Sequence, residues 1–176
     1  DAGGAEVLRN ELREAGAYGQ VTALVLGPDG RIPLADELAA RVIGGDPSVP
    51  AAEYLRITRP FGLLHRKVGK GWQTERKPRP EGAADWTHHN GDPQNSHHSK
   101  DKLAGPSLGM QWLAGPTNRQ DFFLIGGPVL IGTDRPLSAA VNDQSLIARD
   151  AFSGLPLWVR ENSVPNNRWS LVFDGE

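Results

Sequence analysis

Residues 146–158, Leu146-Ile147-Ala148-Arg149-Asp150-Ala151-Phe152-Ser153-Gly154-Leu155-Pro156-Leu157-Trp158, decide how the second half of this chain is read. An apolar run from Leu146 to Asp150 and a second from Leu155 to Arg160 flank a short polar stretch that ends in glycine. Such a pattern predicts strand, turn, strand. Gly154 suits a turn position with positive φ, and Trp158 is a large apolar side chain whose indole N–H can still find an acceptor. The same pattern extends to both sides. Gly109 to Ala114, Phe122 to Ile125, Pro128 to Ile131 and Trp169 to Phe173 are short apolar runs separated by Gly, Pro, Asn and Asp. Segments this short and closely spaced predict antiparallel all-β structure over residues 107–176, as in a sandwich or a propeller, rather than a parallel sheet.

Further toward the N-terminus the periodicity changes. Val7, Leu8, Leu12 and Ala15 fall near helical spacing, charged residues take the other face, and Gly16 and Gly19 can stop the helix. Val21 to Leu26 reads as a buried strand closed by the turn Gly27-Pro28-Asp29-Gly30, and Leu38 to Ile43 as a second strand. Pro50 marks a helix start, with Ala51, Ala52, Tyr54, Leu55 and Thr58 carrying the helix toward Pro60. Gly62 to Arg66 and Gly71 to Thr74 then form a hairpin around Gly69-Lys70-Gly71. Residues 77–106 hold four prolines and four histidines with almost no apolar periodicity, which predicts a long polar connection with Trp86 as its anchor. The expected organisation is therefore α+β overall: an α/β half over residues 1–76, a linker over 77–106 and an all-β half from 107.

Composition narrows the function classes. With 19 Lys+Arg against 21 Asp+Glu the net charge is -2, which argues against a dedicated nucleic-acid binder. Residues 66–79 are locally basic, holding Arg66, Lys67, Lys70, Arg76, Lys77 and Arg79 against Glu75 alone. They read as a solvated hairpin. The longest apolar runs are far short of the ~20 residues that span a bilayer. The absence of cysteine excludes disulfides, thiolate metal sites and cysteine nucleophiles. A chain beginning at Asp1, with no initiator Met and no signal segment, is expected to be a processed or truncated piece. His88-His89 and His97-His98, with Asp85, Asp92 and Asp101 nearby, invite a metal reading. Adjacent residues of an extended chain point oppositely, however, so each pair offers one ligand at most, and surface or packing roles are the expectation. His65 is expected to be a structural residue of its strand. No nucleophile elbow, phosphate-binding glycine loop or zinc-protease helix motif occurs.

Two stretches carry a more specific signal. Asp29-Gly30-Arg31-Ile32-Pro33-Leu34-Ala35-Asp36, and Glu53-Tyr54-Leu55-Arg56-Ile57-Thr58-Arg59-Pro60-Phe61-Gly62, together resemble class I S-adenosylmethionine-dependent methyltransferases over residues 1–66. That family commonly shows Asp-x-x-x-Leu-Pro-Phe-x-Asp after its third strand and Glu-x-x-Arg-x-x-x-Pro-Gly-Gly before its fifth. The resemblance implies a Rossmann-like α/β scaffold in which Asp29 matches the acid that contacts the adenine and Asp1 the ribose-binding acid. Ile32, Leu34 and Phe61 depart from the pattern, and the family's glycine-rich first loop has no counterpart here. A degenerate domain follows, with no S-adenosylmethionine bound by this piece itself.

The Leu146–Trp158 stretch is similar to the repeat of pyrroloquinoline-quinone-type (quinoprotein) β-propellers, in which Ala-x-Asp-Ala-x-x-Gly-x-x-x-Trp closes a blade hairpin and the Trp docks on a neighbouring blade. With Lys77-Pro78-Arg79-Pro80, Asp85-Trp86-Thr87-His88 and the Gly105 to Pro116 stretch, the order resembles planctomycete-type proteins that fuse a methyltransferase-like domain to such a propeller. The resemblance implies Trp158, Gly154 and Trp86 as structural residues, no catalytic residue, and the rest of its own propeller as partner. It implies a non-catalytic scaffold or interaction fragment first, a methyltransferase second and a quinone-dependent dehydrogenase-like protein third. The propeller likeness implies a periplasmic or secreted protein, and an active methyltransferase would imply the cytoplasm.

Overall fold

A computed structural model describes residues 2–103, 105, 123–134 and 145–161. The chain divides into two compact units, residues 1–77 and 78–176, so residues 78–105 belong with the β-rich half. The fold is α+β.

The first unit opens with helix α1, Ala2–Glu14. It ends as its glycine dictates. Gly16 adopts φ 66, and the Ala17 N–H reaches back to the Leu12 carbonyl at 2.9 Å, satisfying an orphan carbonyl of the last turn. Strand β1, Ala39–Gly44, leads through helix α2, Ala51–Ile57, into the parallel strand β2, Thr58–Val68, and β3, Gly71–Arg76, returns antiparallel. Sheet order is β1-β2-β3. A parallel pair cannot be joined by a tight turn, and α2 supplies the crossover. It starts after Pro50, and its last carbonyls are taken by Thr58 and Lys77: the Thr58 hydroxyl donates to the Tyr54 carbonyl at 2.7 Å, and the Lys77 ammonium to those of Leu55 and Thr58. The core consists of Val42, Val49, Tyr54, Ile57 and Leu64, with Ile32, Leu34 and Ala39 packed against it.

One expected element is absent. Val21 to Leu26 forms no strand beyond a single bridge between Tyr18 and Val21, and Val21, Leu24, Val25 and Leu26 are exposed. A β-branched run becomes a strand only where a neighbouring edge takes its backbone groups, and no described strand lies beside it. It runs along α1 instead, where Arg9 Nε donates to the Ala23 carbonyl at 3.0 Å.

In the second unit β4 (Phe123–Gly126), β5 (Val129–Asp134), β6 (Ser145–Asp150) and β7 (Pro156–Arg160) form one antiparallel sheet in chain order. Leu124, Ile147 and Ala148 are its buried apolar residues. The described residues of 78–105 form no helix or strand of their own, and Trp86 pairs with Ile125 on the edge of β4 through two backbone hydrogen bonds of 2.8 and 2.9 Å. The expected runs at 109–114 and 169–173 lie outside the described residues.

Candidate functional site

The two motif stretches of the first unit meet in one network. Glu53 and Arg56 stand one helical turn apart on α2, a spacing that puts both side chains on one face. Arg56 donates to both Glu53 carboxylate oxygens at 2.6 and 2.9 Å, to the Ile32 and Leu34 carbonyls at 2.8 Å each, and to Asp36. Glu53 closes the circuit by accepting the Ile32 N–H at 2.8 Å. Hydrogen bonds from Arg56, together with the Ile32 N–H, hold the Glu53 carboxyl down at about 2, and Arg56 is pushed further into its charged state by Glu53 and then Asp36. The guanidinium thus clamps the Ile32–Asp36 loop onto the helix. Sequence reasoning quoted both stretches without seeing that they bind each other, although Glu-x-x-Arg at helical spacing is a signal of such a pair.

Asp29 sits at the tip of a single helical turn, Pro28–Gly30, with φ 58 and an exposed side chain. It does not follow a strand, because Val21 to Leu26 is not one. A shallow pocket of about 400 Å³ lies elsewhere, but Asp29 borders one of about 300 Å³ with Pro28, Arg31, Pro50, Ala52, Glu53 and Arg56. Glu53 and Arg56 are already committed to the clamp, so Asp29 and Arg31 are the charged groups left to face a ligand there. The turn is fixed by Gly30 at φ 74, where a Cβ would collide with the Ser48 carbonyl. Asp1 lies outside the described residues.

The pocket of about 400 Å³ is at the carboxyl ends of the parallel strands. Gly44, Gly45, Asp46, Pro47 and Tyr54 line one side, Arg66 and Lys67 another. The Tyr54 hydroxyl bridges the backbone N–H and carbonyl of Asp46 at 3.2 Å each, and Gly44 admits the Tyr54 ring at a distance no Cβ would allow. Crevices at the carboxyl ends of parallel strands are where open α/β sheets take ligands.

In the second unit the β6–β7 turn is built by Asp150. Its buried carboxylate accepts from the Phe152 and Ser153 N–H groups at 3.0 Å each and from the Ser153 hydroxyl at 3.2 Å. Gly154 is buried at φ 71, donates to the Asp150 carbonyl at 2.8 Å and accepts from Arg149 at 3.0 Å. No family model matches the chain, and no curated protein or solved structure does. Trp158, expected as a structural residue that docks on a neighbouring blade, stands opposite Ala148 on β7, 41% exposed, with the Arg160 guanidinium 5.7 Å from its ring centroid. Every residue of β7 is exposed, so the strand offers the Trp no second layer among the described residues.

The linker anchors are well defined. Arg79 grips the Asp85 carboxylate with two hydrogen bonds of 2.8 and 3.0 Å, and the same carboxylate accepts the Gly127 N–H at 2.9 Å. Trp86 is half-buried and donates its indole N–H to the His89 carbonyl at 3.4 Å. Asp92 accepts from the Gln94 and Ser96 N–H groups, the Ser96 hydroxyl and Lys100, and its carboxyl is lowered to about 2, chiefly by the Ser96 N–H. The histidines are drawn into local turns: His88 Nδ1 is 2.9 Å from the Thr87 hydroxyl, and the His97 N–H donates to the Asn90 carbonyl. Among the described residues no group of three or more His, Asp or Glu is placed to hold a metal ion. His65 Nδ1 lies 2.8 Å from the Thr74 hydroxyl across the β2–β3 pair, the structural role its strand position predicts.

Proposed function

We propose that the chain is a non-catalytic scaffold: a degenerate, Rossmann-like methyltransferase-type unit joined by an anchored linker to a blade of a quinoprotein-like β-propeller. The observation that carries this reading is the four-stranded antiparallel meander β4-β5-β6-β7, closed by the Asp150–Gly154 turn and exposed along its whole last strand. A propeller blade is a four-stranded meander, and an outer strand with an open face is a surface for contact rather than chemistry. The first unit supports the same reading. Its motif acid and base, Glu53 and Arg56, are used to hold its own loop, and a βαβ crossover of the kind that builds doubly wound sheets remains as scaffold.

A second reading, an S-adenosylmethionine-dependent methyltransferase, is favoured by the roughly 400 Å³ crevice at the carboxyl ends of β1 and β2. Titration calorimetry with S-adenosylmethionine separates the two. Millimolar binding already needs about 4 kcal/mol and one charged hydrogen bond from Asp29 supplies about 1.5–3, so the scaffold reading expects no measurable heat at micromolar ligand. Saturable micromolar binding, weakened by Asp29→Ala, would establish the enzyme reading instead. The same titration with pyrroloquinoline quinone and calcium is expected to show no binding. No helix among the described residues is long and apolar enough to cross a membrane.

A further inference from the structure

The sheet of the first unit has one covered face and one open face. Register fixes the partition: Val42, Leu64 and Glu75 are cross-strand partners on the face that α2 covers, while Arg41, Leu63 and Arg76, then Ile43, His65 and Thr74, then Lys67 and Trp72 share the other. Parallel strand pairs are ordinarily covered on both faces, so an open one calls for an occupant. Ile43 is 69% exposed and Trp72 60%, at opposite edges of the sheet. Between and around them stand Arg41, Lys67 and Arg76, with no Asp or Glu at any strand position of this face. Glu75, the single acid of the three strands, is on the covered face beside Arg66. The face therefore sets the apolar Ile43, Leu63 and Trp72, with His65 and Thr74 among them, beside three cations that no carboxylate at its strand positions offsets.

We infer that the Arg41–Ile43–Lys67–Trp72 face of this sheet binds an acidic amphipathic helix of a separate protein. Charge complementarity selects that occupant. A second copy using the same face would set Arg41, Lys67 and Arg76 against their own images. The described helices of this chain do not supply it: α2 is already in the core, and α1, which carries Glu6, Glu11 and Glu14 against Arg9 and Arg13, lies along Val21 to Leu26 and is tied there by Arg9 to the Ala23 carbonyl. Trp72 reaches across to Gly45, just past the end of β1, where an added Cβ would stand 3.3 Å from the edge of its ring. Aromatic anchors beside cations are the residues that dominate such interfaces. The inference deepens the scaffold reading and rests on it, in that the unit is taken to act by contact; S-adenosylmethionine titration tests that reading, and the peptide experiment tests this one.

The probe is a fluorescently labelled helical peptide of about 20 residues with a leucine face flanked by glutamates, titrated by anisotropy against the full chain. Saturable micromolar binding that weakens with salt is expected, at least about tenfold weaker for Lys67→Glu and for Trp72→Ala, and changed less than about threefold by Lys70→Glu in the neighbouring turn. Arg41→Glu serves as a second charge reversal, and circular dichroism checks that each variant is folded. Absence of peptide binding, equal binding by folded Lys67→Glu and Arg41→Glu, or binding of phosphatidylserine vesicles or oligothymidylate in place of the peptide would overturn the proposal.

Discussion

At the scale of single residues, Arg56 organises the first unit. Five of its contacts go to groups 3 to 24 positions away in sequence, and losing the guanidinium would take a donor from the Ile32 and Leu34 carbonyls and leave the Glu53 carboxylate with the Ile32 N–H in its place. Arg56→Ala should therefore destabilise the first unit, and Arg56→Lys should restore little, since a point charge cannot reproduce the planar fork. Thermal unfolding of the three proteins checks this. The pH dependence has a definite sign. Glu53 and Asp92 are both lowered to about 2 in the folded chain, so each contributes stability that is complete above the ordinary carboxylate range and is lost as pH falls from about 4 toward 2. Urea unfolding between pH 6 and pH 2 should show that loss, and Arg56→Ala should remove the part owed to Glu53. Gly30 is a further critical position. Gly30→Ala would drive a Cβ into the Ser48 carbonyl at φ 74, and a left-handed backbone alone costs an alanine about 1–2 kcal/mol. A fall in melting temperature of several degrees is expected, and an unchanged one would show that the turn is not packed on residues 48–50.

The scale of elements shows what periodicity can and cannot report. Helix α1, β1, α2, the β2–β3 hairpin and the β4 to β7 strands were legible, because each joins an apolar spacing to a stop signal: Gly16, Gly44-Gly45, Pro50, Gly69-Lys70-Gly71, Gly154. Val21 to Leu26 was misread because composition says which residues fit a strand but not whether an edge waits for them. For Trp158 the blade pattern implies a second sheet, and β7 faces none among the described residues. At this exposure Trp158→Ala is expected to cost about 1–2 kcal/mol, against about 3–5 kcal/mol for a fully buried tryptophan. Leu64→Ala is the contrasting case. Leu64 is fully buried between β1 and β3 and packs with Val42 and Ile57, so its loss should cost about 2–5 kcal/mol. Chemical denaturation of both variants tests the ranking, which reverses if Trp158 is the core residue. The site was less legible than the fold. Asp29 and the motif stretches could be quoted from sequence, but that Glu53 and Arg56 fold back onto Ile32–Asp36 depends on a crossover that brings residues 21 to 24 positions apart together.

At the scale of the molecule, two units of different character share one chain, and the second takes its anchor from Asp85 and Trp86, which tie residues 79–86 to the β4–β5 hairpin. The central claim is that β4 to β7 make one blade of a propeller. An exposed outer strand bearing Leu157, Trp158 and Val159 is an aggregation hazard in isolation and is explained if neighbouring sheets cover it. An experimental structure of the intact protein is the most direct test. The account predicts that β4-β5-β6-β7 stands as one of several four-stranded meanders arranged around a common axis, with the Trp158 ring covered by an adjacent sheet. A β7 edge that continues into a longer sheet, or a second sheet stacked on the first as a closed two-layer sandwich, would contradict it.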